Sequence, residues 1–149
     1  MMVSFNVDDG LFRTFLFYSA ILVLKVLAMA LLTGKHRFTK KVFANPEDTI
    51  VNKKYKVKYD DEDVERVRRA HLNDLENIPF FIIACFGYLL TNPTVFIATN
   101  LIRLFVLGRI VHTIVYAVVV LPQPSRALAW FLGYGITIYM AAQVVLNFA

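Results

Sequence analysis

The chain has 149 residues, 58% hydrophobic and only 18% charged, with a mean hydropathy of +0.56. Charge is scarcer than in water-soluble domains, and a fold of this size has too small an interior to bury so much apolar surface. A soluble globular domain is excluded, and the net charge of +5 has to be read against a membrane.

The first predicted element is a span over residues 11–33, long enough for a bilayer that needs about 20 apolar residues. It is too long for the apolar region of a signal peptide and no basic stretch precedes it, so it is expected to remain as an anchor. Residues 34–63 form a predicted cytosolic loop carrying Lys35, Arg37, Lys40, Lys41, Lys53, Lys54, Lys56 and Lys58. The first ten residues and the turn Thr91 to Thr94 carry no Lys or Arg, so the positive-inside bias turns them, and the C-terminus, to the lumen. Most of these lysines are read as topogenic charge that also attracts anionic membrane lipid. No nucleic acid partner is expected, because no basic helix is free of membrane and no aromatic platform interleaves with the lysines.

The loop ends in Asp60-Asp61-Glu62-Asp63, carboxylates suited to the free amides and dipole of a helix N-terminus. The helix that follows is predicted over 64–90. It starts with dense charge from Val64 to Glu76 and continues into the apolar run Ile78 to Leu90. Charge at one end rather than along one side marks a membrane helix whose ionisable end forms a site. Pro79 lacks an N–H and frees the carbonyl of Leu75, so a kink is expected to open a wedge beside Asn73 and Glu76. Cys85 is the only cysteine; no intrachain disulfide is possible, and the thiol is read as packing. Spans over 95–120 and 125–147 complete the chain, joined by Leu121-Pro122-Gln123-Pro124-Ser125-Arg126. The expected fold is an all-α membrane protein, one integral membrane domain over 1–149, built as an antiparallel four-transmembrane-helix bundle.

At about 1.5 Å of rise per residue from the lumenal helix ends, Lys25, Glu76 and Arg109 fall roughly 21 to 23 Å deep, with Asp74 near the same level. Charges inside a bilayer cost about 2.5 to 3.5 kcal/mol each on insertion scales, so Lys25 and Arg109 are expected to meet Asp74 and Glu76 as structural ion pairs between helices. Beyond that layer, Arg69, Asn73 and Glu76 share one stripe of the second helix, and Arg109, His112 and Tyr116 share one stripe of the third. The stripes converge near the cytosolic rim, where Arg126 begins the fourth helix. Three scattered histidines and one distant cysteine match no metal-ligand spacing, so no metal is expected. Nucleophilic triads and Gly-rich phosphate loops are also missing from the sequence.

Four segments carry a resemblance: Phe43-Ala44-Asn45-Pro46-Glu47-Asp48, the run Val64 to Asn77, Arg109 to Tyr116, and Leu121 to Leu128. Together they resemble the membrane-associated proteins in eicosanoid and glutathione metabolism, closest to the glutathione transferase branch and next to the prostaglandin E synthase branch. The resemblance implies a homotrimer in the endoplasmic reticulum membrane, extending to the outer mitochondrial membrane, with glutathione as co-substrate held between subunits near the cytosolic face. It also implies a glutathione site made of Arg37, Arg69, Asn73, Glu76, His112, Tyr116 and Arg126, with Asp48 orienting Arg126 as a second catalytic residue. The other substrate would be a lipophilic electrophile or a lipid hydroperoxide. Leu72 and Ala127 stand where the synthase branch carries an arginine and a serine. Thr49 follows the Pro-Glu-Asp motif where some transferases carry a cysteine, which excludes activation through a thiol there.

Those residue types suit the ligand. Glutathione has two carboxylates, one ammonium and a thiol; Arg37 and Arg69 suit the carboxylates by bidentate hydrogen bonding and Glu76 suits the ammonium. A thiol of pKa about 8.5 is mostly protonated near neutral pH, and a guanidinium beside the sulfur, assigned to Arg126, would favour the thiolate. Substrate is expected to enter from lipid between the first and fourth helices. Two alternatives are an endoperoxide isomerase, disfavoured by Leu72 and Ala127, and a non-catalytic lipid-binding scaffold, which would have no need of the arginine set.

Overall fold

The structure, a computed structural model, describes residues 7–149. The lumenal placement expected of the N-terminus falls partly on residues 1–6, outside the described residues. Four long helices make up the fold: α1 (Asp9–Lys40), α2 (Glu62–Leu90), α3 (Val95–Thr113) and α4 (Ser125–Phe148). α1 begins where the Asp8 carboxylate accepts the Leu11 N–H at 2.8 Å, and it ends where Lys41 takes a left-handed φ of 59° and returns its N–H to the Arg37 and Phe38 carbonyls. The helix therefore outruns the predicted 11–33 span at both ends, and Arg37 lies on α1 instead of in the loop. Asp61 caps α2, accepting from the Val64 N–H at 3.3 Å, in line with the acidic run that precedes it.

The segment between α1 and α2 is more ordered than a plain loop. β1 (Val42–Phe43) pairs in parallel with β2 (Lys56–Val57), a 3-10 turn spans Pro46–Thr49, and the Phe43 and Tyr55 rings pack with centroids 4.8 Å apart.

α1, α4 and the stretch Val95–Val118 are each long and apolar enough to cross a membrane. α2, with 29 residues, is as long as they are, but its charged half keeps its composition outside that class. In the bundle, α1 packs on α2 and α3, and α4 packs on the same two helices, while no Cα atom of α1 comes within 8 Å of one in α4 among the described residues. Successive helices run antiparallel, as the short connections demand, and this order makes α1 parallel to α3 and α2 parallel to α4. Two ring and glycine contacts illustrate it: Phe15 near the start of α1 meets Phe86 near the end of α2, and Gly87 of α2 faces Val144 near the end of α4.

The core is divided in two. Leu11, Phe15, Leu22, Ile78, Phe81, Cys85, Ile102, Phe105 and Met140 form the larger cluster, with the Phe81 and Phe105 rings stacked at 3.5 Å. Met29, Val67, Ala70 and Ala117 form a smaller cluster nearer the loop. Between them, on α1, α2 and α3, lies the charged layer of Lys25, Asp74 and Arg109.

α2 runs unbroken through Pro79. The proline is exposed and lines a groove of about 360 Å³ with Val23, Leu27, Leu75 and Ile83. The expected wedge beside Asn73 and Glu76 is thus replaced by an apolar groove between α1 and α2. Both helices are held by their other contacts, and the space left by the proline ring opens on the face that carries only aliphatic side chains.

Candidate functional site

The charged layer is built around Asp74, which is fully buried. One carboxylate oxygen, Oδ2, accepts from Lys25 Nζ, and Oδ1 accepts from Arg109 Nη2 and from Arg109 Nε at 3.2 Å. Arg109, also fully buried, gives a further Nη2 hydrogen bond to Asn73 Oδ1 at 2.9 Å. Three helices are tied together in this way, by residues that the rise per residue sets at one level. Glu76 does not join them. Two residues beyond Asp74 the helix has turned by about 200°, so Glu76 is exposed and makes no ion pair among the described residues.

Next to this layer, towards the loop, is a cavity of about 320 Å³ lined by Asn73, His112, Tyr116, Gln123, Arg126, Ala127 and Trp130. Its shape follows from how α3 ends. The last turn of the span widens into a π turn at Ile114–Val118, closed by the Val119 N–H on the Ile114 carbonyl at 2.8 Å. Such turns insert an extra residue and re-aim the side chains they carry. Tyr116 lies in this turn, with the His112 ring edge-on to it at 5.5 Å and the Arg126 guanidinium 4.4 Å above its ring, a cation–π contact. At the other wall, Gln123 Oε1 accepts the Ala127 N–H at 3.3 Å, capping the first turn of α4.

Several polar atoms here are buried without a hydrogen-bond partner: His112 Nδ1, Thr113 Oγ1, Arg126 Nε and Arg109 Nη1. Buried polar groups are nearly always paired, and each unpaired one asks for a ligand or a solvent molecule. Two of these four atoms belong to guanidinium groups, so an anionic or carbonyl-rich occupant suits the space beside them.

The other expected site residues lie elsewhere in the chain. Arg37 lines a separate cavity of about 330 Å³ with Lys58, Asp61, Glu65 and Arg68. Asp48 faces a third, of about 300 Å³, with Phe38, Glu47 and Tyr55, and accepts from Asn45 Nδ2 at 3.3 Å; it forms no pair with Arg126 among the described residues, because the 3-10 turn that carries it packs on β1 and β2. Arg69, like Glu76, is exposed on α2. One chain therefore brings together Asn73, His112, Tyr116 and Arg126, and leaves Arg37, Asp48, Arg69 and Glu76 apart from them. Gln123 and Trp130 are wall residues that the sequence reading missed. Trp130 had a signal, lying four residues after Arg126 on the same helical face; Gln123, between two prolines, had none.

A family model described as the MAPEG family matches residues 15–146. The chain belongs to the MAPEG family. Its fold is accordingly a four-helix membrane bundle, and the protein is a multi-pass membrane protein. Among MAPEG members, microsomal glutathione S-transferase 1 of Homo sapiens is 47% identical over 143 residues, covering 93% of this chain and 91% of the relative. The protein of the same name from Sus scrofa is 48% identical over 141 residues, covering 92% and 90%. Prostaglandin E synthase of Equus caballus is 41% identical over 131 residues, covering 88% and 85%.

Proposed function

We propose that this MAPEG protein is a glutathione transferase of the membrane, joining the glutathione sulfur to lipophilic electrophiles, with glutathione-dependent reduction of lipid hydroperoxides as a second activity of the same site. The names borne by its relatives favour this activity, and the observation that carries it is the cavity walled by Asn73, His112, Tyr116 and Arg126, where Arg126 Nε is buried without a hydrogen-bond partner. In the reaction, the guanidinium stabilises the thiolate and lowers the cost of releasing the thiol proton to solvent; the sulfur then bonds to the electrophilic carbon while the leaving group departs with its electron pair. Asn73, His112 and Tyr116 hold the tripeptide.

The working unit in this reading is a homotrimer. Arg69 and Glu76 are exposed on α2 at depths where lipid would otherwise meet an ionised group, which is costly, so a neighbouring copy is the natural cover for that face. Arg37, Arg69 and Glu76 then belong to a site completed between subunits, and Asp48 acts across that boundary. The path for lipophilic substrate follows suit: α1 and α4 of one chain are at opposite corners of the bundle, so a route between a first and a fourth helix has to use two copies. Residence in the endoplasmic reticulum membrane, with the site at the cytosolic face, fits the basic loop.

Calorimetry of glutathione binding to the detergent-solubilised protein is the first test, followed by turnover with a chlorinated nitroaromatic, a lipid hydroperoxide and a prostaglandin endoperoxide. Conjugation of the haloarene with little isomerisation of the endoperoxide is expected, in keeping with Ala127 in the cavity wall. No glutathione binding would leave the scaffold reading. Arg126→Ala should abolish the thiolate absorbance of bound glutathione and most turnover; an unchanged rate removes Arg126 from the mechanism.

A further inference from the structure

The buried layer and the cavity are linked through a single amide. Arg109 can only donate hydrogen bonds, and its Nη2 donates to Asn73 Oδ1 at 2.9 Å. The Asn73 side chain is thereby locked in one of its two flip states. Its oxygen is committed to Arg109, and its NH₂ group is the part left for the cavity that Asn73 lines. Arg109 is in turn fixed by Asp74, whose other oxygen is held by Lys25.

The charges in this cluster do not cancel. Lys25 and Arg109 are two cations on one carboxylate, and Arg109 Nη1 remains buried without a partner. A cationic donor on its oxygen draws electron density from an amide and makes its N–H groups stronger donors, the cooperative effect of a hydrogen-bond chain in a medium of low dielectric.

We propose that Arg109 is a positioning residue for the glutathione site, which, with Asp74 and Lys25 behind it, fixes and polarises Asn73 as an obligatory hydrogen-bond donor to an acceptor group, carboxylate or peptide carbonyl, of the bound tripeptide. The cluster is then more than a structural tie between helices: its excess positive charge polarises Asn73 and so strengthens the hydrogen bond given to the ligand. This rests on the glutathione reading above. It adds a polarity that reading did not contain, since Asn73 could otherwise have offered either end of its amide.

The test is glutathione affinity, by calorimetry on the full chain in detergent, for the wild type, N73A, N73D, R109K and the double variant N73D/R109K, with each variant's melting temperature measured alongside. In N73D one carboxylate oxygen stays on Arg109 and the other presents an acceptor where a donor stood. N73A removes the donor and leaves room for water. Affinity about tenfold weaker for N73A, the scale of one lost charge-assisted hydrogen bond, and weaker again for N73D, is expected. R109K should weaken binding as well, with the double variant little worse than its weaker parent, because the two residues act in one chain. N73D binding as well as N73A or better overturns the donor role, and losses that multiply in the double variant overturn the positioning role. If R109K does not fold, the order of N73A and N73D still decides the donor assignment. Wild-type protein that fails to bind glutathione would instead refute the functional reading, which keeps the two failures apart.

Discussion

Gly133 shows how tightly single residues are specified beneath the cavity. A Cβ there would lie 3.3 Å from the Phe105 ring and 3.7 Å from Arg109 Cδ, so the absence of a side chain on α4 is what lets α3 come close with its arginine in place. Gly133→Ala should destabilise the protein by about 1 to 3 kcal/mol, the usual cost of overpacking, because the Phe105 ring has to give way. Gly135, where an added Cβ meets nothing within 4 Å, is the matched control, and Gly135→Ala should leave the detergent melting temperature unchanged or slightly raised. Cys85 fits its sequence reading: it is fully buried in the apolar cluster.

At the scale of elements, the start of α2 joins two links of the argument, because its cap fixes the register from which Asn73 and Asp74 reach Arg109. Asp61→Ala should cost about 1 kcal/mol through loss of the cap on Val64, seen as a lower melting temperature with little change in substrate preference. One residue pair ties the ends of α1 and α2 outside the membrane: Lys40 with Asp63. The hydrogen bond from Lys40, then that from Arg66, holds the Asp63 carboxyl below its ordinary 3.8. A carboxyl with a lowered folded value stabilises above its unfolded value and loses that contribution as pH falls through the folded one. The tie should accordingly be intact at neutral pH and released only below 3.8, and Asp63→Asn should remove that acid-side dependence from a pH series of melting temperatures. Both groups are partly exposed, so the effect on stability is small.

For the whole molecule, the exposed Arg69 and Glu76 and the separation of α1 from α4 lead to one expectation. The purified protein should run as a trimer in native mass or light-scattering measurements. Reversal of Glu76 to Lys should weaken that assembly together with glutathione binding, whereas a variant confined to the cavity, such as N73A, should reduce binding and leave the trimer intact. A monomer with full glutathione affinity would place the entire site within one chain.

The sequence by itself determined the bilayer as solvent, the number of helices, their alternating direction and the meeting of Lys25, Asp74 and Arg109 in one layer. Each of these depends on quantities counted along one chain: length of apolar run, charge of a connection, rise per residue. Asn73, His112 and Tyr116 were legible for the same reason, since they lie on helical stripes near one end of their helices, and Arg126 because it begins the fourth helix at that end. Tertiary structure alone decided which helices are neighbours, that Glu76 turns away from the ion pairs while Asp74 turns in, that Pro79 opens an apolar groove, and that Arg37 and Asp48 stand apart from Arg126. Those outcomes depend on the rotation of each helix about its own axis and on close approach between helices, set by contacts such as Gly133 on Phe105. Periodicity along a single helix says which residues share a face, but not which face meets a neighbour or how closely.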